Sequence, residues 1–119
     1  MNIEDIREYC LGKKGVSESF PFDETTLVFK VMGKMFCLVN LDLEPGLLLK
    51  NSPEKIMDMR ERYSFVLPGY HMNKTHWNLV MIDQPVTEDL LKHWVDESYN
   101  LVVEGLPRKI KDELKKDQS

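Results

Sequence analysis

Two β-rich runs separated by a glycine constrain this chain most. Thr25 to Met32 and Met35 to Leu41 are strand-like, and Gly33-Lys34 lies between them. Glycine first in a two-residue loop suits a type II′ hairpin. That register sets Val31 opposite Phe36, Phe29 opposite Leu38 and Leu27 opposite Asn40. The other face would carry Met32 with Met35, Lys30 with Cys37, and Val28 with Val39. Both faces are largely apolar, and Lys30 is the one charge on the second. A sheet with such a second face calls for a covering element, a dimer contact or a ligand surface. A covering element is the reading favoured here.

The flanking segments add helices. Asn2 caps a helix from about Ile3 to Leu11, with Glu4 and Asp5 in the first turn. Gly12 and Gly15 stop it. Glu18 to Asp23, with Pro21 between Phe20 and Phe22, reads as an extended connector. Gly46 to Lys50 is a short strand. Ser52 caps a second helix with Pro53 at its first position, and Arg60 and Arg62 lie in its last turn. Ser64 to Leu67 is a bridge. Trp77 to Ile82 is a strand, with Trp77, Leu79 and Met81 on one face and Asn78, Val80 and Ile82 on the other. Thr87 caps the longest helix, Glu88 to Glu104, and Gly105 and Pro107 end it. Leu90, Leu91, Trp94, Val95, Ser98, Leu101 and Val102 form its buried side. The order is α-β-β-β-α-β(β)-α, an α+β fold: an antiparallel sheet with helices packed on it.

At 119 residues the chain is one domain. We read 1–106 as the domain and 107–119 as a charged tail, with a short, frayed amphipathic helix through Ile110 and Leu114. No run approaches the ~20 apolar residues of a membrane span. The acidic, polar start is unlike a signal peptide, so a cytoplasmic protein is expected. Cys10 and Cys37 should be free thiols, with Cys37 a small buried hydrophobe. Net charge is −4, which argues against a general nucleic-acid binder. Residues 25–82, however, hold seven basic and five acidic groups, and the two end helices are negative.

The chemically rich stretch runs from Leu67 to Asn78. It holds Tyr70, His71, Asn73, Lys74, His76 and Trp77 beside a Pro-Gly turn. Loops held between rigid elements commonly carry function. The rings could stack on a base or a sugar while Lys74 and the histidines meet phosphate or carboxylate. The alternative is structural: Trp77 in the core, Tyr70 capping a turn, Asn73 in a left-handed position and the histidines bonding backbone. His71 and His76 are five apart, a poor spacing for ligands, and no Cys-x-x-Cys occurs, so no metal is expected. Gly12-Lys13-Lys14-Gly15 lacks phosphate-loop spacing. Cys37 with His71 or His76 would need an electropositive, exposed setting that nothing local provides. No catalytic residues, no enzyme activity and no cofactor are expected.

The chain resembles the MmcQ/YjbR family of small bacterial proteins. The likeness lies in the Gly-Lys-Lys-Gly exit of the first helix, Ser19-Phe20-Pro21-Phe22, Leu27-Val28-Phe29-Lys30-Val31 and Gly33-Lys34-Met35-Phe36. Pro68 to Lys74 is its most specific block, together with His76-Trp77-Asn78 and Ser98 to Val102. The resemblance runs through Leu106. It implies a CyaY-like, double-wing α+β fold and carries a DNA-binding label that rests on fold similarity. The expectation is a non-enzymatic DNA-binding or regulatory protein with the hairpin as a wing. Lys30, Lys34, Arg60, Arg62, Tyr70, His71 and Lys74 would contact phosphates, with Asn73, His76 and Trp77 completing the loop site. The alternative is a protein- or small-ligand-binding module using the apolar hairpin face and aromatic loop. Either would be a monomer or weak homodimer away from membranes.

Overall fold

A computed structural model describes residues 1–41, 46–69 and 72–116. The elements run α1 (Ile3–Leu11), β1 (Val16–Ser19), β2 (Thr26–Val31), β3 (Lys34–Asn40), β4 (Gly46–Lys50), α2 (Pro53–Arg62), β5 (Val66–Pro68), β6 (Trp77–Met81), α3 (Glu88–Glu104) and α4 (Arg108–Lys116). Among the described residues the strands form one antiparallel sheet in the order β1-β2-β3-β4-β6-β5. This is the expected α+β fold. β5 is the second strand that the expected order left open before α3, while β1 corrects the expectation of a turn and connector. Both are short edge strands, and three of the four residues of β1 are polar, so neither carries the apolar alternation that marks a strand.

The helix ends obey the chemistry of their caps. Asn2 and Asp5 make a reciprocal capping box on α1, and the Thr87 hydroxyl accepts from the Leu90 N–H on α3. Ser52 behaves differently. Its side chain makes no capping bond, and its N–H donates to the Asn51 side chain instead.

The hairpin register differs from the expected one. Thr26 pairs with Asn40, Leu27 with Val39, Val28 with Leu38 and Phe29 with Cys37, and then Lys30 pairs with Met35 and Val31 with Lys34. A β-bulge between Phe29 and Lys30 makes the difference. Phe36 is the extra residue, so Phe36 and Cys37 both reach the main core. The turn is Met32-Gly33, both with positive φ (49° and 85°), the signature of a type I′ hairpin rather than II′. Glycine adopts that backbone freely, whereas Met32 holds it because register and bulge fix the turn.

The sheet has two unlike sides. On one, Leu27, Phe29, Val31, Phe36, Cys37, Val39, Leu47, Leu49 and Val80 form the main core. Every helix contributes to it: Ile6 and Cys10 from α1, Met59 from α2, Leu91, Trp94, Val95 and Val102 from α3, and Leu114 from α4. Ser98 anchors α3 by donating to the Phe36 carbonyl at 2.6 Å and accepting from the Lys50 N–H. Tyr63, Phe65 and Trp94 pack as an aromatic group at the α2 end. The other side holds a smaller cluster of Val28, Leu38 and Trp77, with Met35, Leu48 and Met72 packed against it. No helix residue joins it. The covering element expected for this face is therefore absent among the described residues, because all the helices lie on the opposite side.

Candidate functional site: the open face of the sheet

Residues paired across antiparallel strands share a face. The register therefore defines the open face as rows across the sheet. One row is apolar: Val28, Leu38, Leu48, Leu79 and Leu67, each paired with the next. The neighbouring row toward the hairpin turn contains Ser17 and Lys30 paired, Met35 opposite Lys30, and Lys50 paired with Trp77. Two residues along a strand separate the rows, about 7 Å. Leu48, Leu79 and Met35 are half-buried, and so are Lys30 and Lys50, while Lys34 beside the turn is exposed. None of these three lysines is in an ion pair among the described residues.

Charge is sorted by side. No carboxylate stands at an open-face strand position among the described residues. The described acids lie on helices, in the end loops at Asp23, Glu24 and Asp83, or, for Glu18, on the helix side of β1. Glu18 pairs there with Arg7 of α1 at 2.6 Å, and that hydrogen bond holds its carboxyl below the usual value.

The β5–β6 loop closes one end of the face. Gly69 lets the chain turn: a Cβ there would sit 2.9 Å from the Trp77 carbonyl oxygen, which accepts from the Gly69 N–H. Asn73 shapes the return into β6. Its side chain accepts from the Thr75 N–H, and its carbonyl accepts from the His76 and Trp77 N–H groups. Arg60 holds the loop from α2. Its Nε donates to Asn78 Oδ1 at 2.6 Å, and its terminal nitrogen donates to the carbonyls of Trp77 (3.2 Å) and Lys74. Asn78 is fully buried and donates in turn to the Ile56 carbonyl.

These contacts divide the expected site residues. Lys30 stands on the open face, exposed Lys74 lies in the β5–β6 loop, and Lys34, paired with Val31 of the main core, falls on the helix side. Trp77 is buried in the small cluster, the structural one of its two readings. Arg60 is consumed by the loop, and Arg62 sits on α2 in an exposed pair with Asp58 at 2.9 Å. Asn73 and His76 are bound up in loop backbone bonds. Tyr70 and His71 lie outside the described residues.

Two features escaped sequence reading. Lys50 belongs to the face, and its alternation with Leu48 along β4 was the available signal. The other is a polar network between α1 and α3. Tyr9 donates to Asp96 at 2.6 Å, and Lys13 meets the same oxygen at 2.5 Å while lying over the Tyr9 and Tyr99 rings. Burial pushes the Asp96 carboxyl up, but the hydrogen bonds from Lys13 and Tyr9 outweigh it and hold the group below its usual value. Burial and the bond to Asp96 push Tyr9 up to about 12. Cys10 and Cys37 are both buried free thiols, and the hydrogen bond with Cys10, together with burial, raises the Cys37 pKa.

The YjbR family model matches residues 11–101. The chain belongs to the YjbR family. The uncharacterised protein YjbR of Escherichia coli K12 is 33% identical over 108 residues, covering 90% of this chain and 92% of that protein. The uncharacterised protein YbdF of Escherichia coli O157:H7 is 40% identical over 107 residues, covering 89% and 88%. Among solved structures, protein DR2400 of Deinococcus radiodurans, a DUF419 domain, superposes with a TM-score of 0.88 at 36% identity, covering 96% of this chain and 88% of that one. A Pseudomonas syringae protein shares the fold at a TM-score of 0.74 and 22% identity, covering 85% and 98%.

Proposed function

We propose that this YjbR-family protein is a non-enzymatic nucleic-acid-binding protein that takes the phosphate backbone on the open face of its sheet, with DNA as the first partner to test. One observation carries the reading: the side of the sheet without helices presents Lys30 and Lys50 and no described carboxylate. A one-signed surface attracts and orients a polyanion even on a protein of net negative charge. The Tyr9–Lys13–Asp96 network is a titratable cluster joining α1 and α3. It is saturated by its own bonds, which suits a binding protein better than a reactive one. Lysines around the face would oppose pairing with a second copy, favouring a monomer. The half-buried Met35, Leu48 and Leu79 support a second reading, a protein or small-ligand surface, because apolar patches mark such sites.

Fluorescence anisotropy with labelled DNA at about 50 and about 200 mM salt tests the first reading. Two neutralised phosphates give a slope of log K against log salt of roughly −1.5 to −2. Each of Lys30→Gln and Lys50→Gln should lower that slope by about one contact. Binding that ignores salt, or no binding at low salt, would overturn it.

A further inference from the structure

The β2–β3 hairpin is not a projecting wing. β1 flanks β2 and β4 flanks β3, so the hairpin lies inside the sheet and only its two-residue turn is free. A two-stranded ribbon fits a DNA major groove about 12 Å wide. Six strands spaced by about 4.8 Å span about 24 Å, too broad for either groove. A duplex resting on this face would offer it phosphates alone and leave the Leu38–Leu48–Leu79 row facing no base.

A single strand offers what the face lacks. Its bases are unstacked and can lie on apolar side chains, while its phosphates run alongside. The face has this two-track layout: an apolar row in which Leu48, Leu79 and Leu67 are half-buried beside buried Val28 and Leu38 and, about 7 Å away, a row with Lys30 and Lys50. β3 alone separates β2 from β4, so the two lysines stand about 10 Å apart along that row. Met35 lies between them, and a thioether makes favourable contacts with aromatic ring edges. We propose that the open face binds single-stranded nucleic acid across the strands, with bases on Met35, Leu48 and Leu79 and phosphates on Lys30 and Lys50. This rests on the nucleic-acid reading above and names its substrate class.

The experiment compares a labelled thymidine strand of about a dozen nucleotides, a uridine strand of the same length and a DNA duplex of that length, at one low salt concentration. The expected result is a single strand bound at least ~10-fold tighter than duplex, the two sugars showing which strand is preferred. Leu48→Ser, with folding checked by circular dichroism, should weaken strand binding about tenfold and leave the salt slope unchanged. Lys50→Gln should do the reverse, lowering the slope. Duplex bound as tightly as single strand would overturn this proposal and leave the nucleic-acid reading standing. If neither binds, both fall and the protein-surface reading takes their place. Should Leu48→Ser fail to fold, Leu79→Ser provides the same readout from the adjacent strand.

Discussion

The two sides of one sheet have been put to different uses. On the helix side, alternate residues of β2, β3, β4 and β6 merge with all four helices in one core, and charges such as Asp96 and Glu18 are held in bonds. On the open side, the other alternate residues form a three-residue cluster with half-buried neighbours, and Lys30 and Lys50 have no ion pair among the described residues. The backbone is shared, so the difference comes from neighbouring side chains that point to opposite faces. Stability should reside on one face and binding on the other, and substitutions can separate them.

The largest contrast is Phe29→Ala against its neighbour Val28→Thr. Phe29 is wholly buried in the main core, and its truncation should cost about 3–5 kcal/mol in urea unfolding. Val28, equally buried in the small cluster, should cost about 1–2 kcal/mol when a methyl becomes a hydroxyl. Similar losses from both would break the distinction between the faces. Next is the loop. Arg60→Ala removes the Arg60 donor from Asn78 Oδ1 and from the Lys74 and Trp77 carbonyls, the last keeping the Gly69 N–H, a loss of about 1–3 kcal/mol. It should also weaken binding, although Arg60 itself is not among the ligand-contacting residues. Undiminished affinity with lost stability would show that the loop is not part of the site.

The polar network gives a pH test confined to the helix side. Asp96 is held below its unfolded value, so it adds stability above that value, lost as pH falls through the folded pKa below about 4. Tyr9 is raised to about 12, so its share is present below about pH 10 and is lost as pH climbs toward 12. Tyr9→Phe should reduce the alkaline loss, to which Tyr99 and Cys37 also contribute, and cut the acid one, measured as midpoint against pH. A wild-type profile retained in Tyr9→Phe would contradict the assignment. Smallest in stability are Lys30→Gln and Lys50→Gln, which should stay within about 0.5 kcal/mol of wild type while changing binding.

The sequence made some of this legible and not the rest. α3 was readable from end to end because Thr87, the apolar stripe and Gly105 all sit at local spacings. The faces of β6 came from simple alternation. The hairpin register did not, because the bulge at Phe36 and the positive φ of Met32 are set by pairing on both flanks, and no residue type announces them. The open face was equally hidden. Both sides of β2 and β3 are apolar, and only the docking of four helices onto one side decides which is left bare. Arg60 looked like a solvated helix-end cation until the loop from 72 to 77, distant in sequence, came to rest on it. Tyr9 and Asp96 are 87 residues apart, and a pattern read over short windows does not join them.

The most direct test of the central claim is amide chemical-shift mapping by NMR of the protein titrated with a short thymidine strand at low salt. Single-strand binding on the open face predicts shifts clustered at Lys30, Met35, Leu38, Leu48, Lys50 and Leu79, with α1 and α3 unmoved. Shifts confined to the helices, or scattered evenly over both faces, would contradict it.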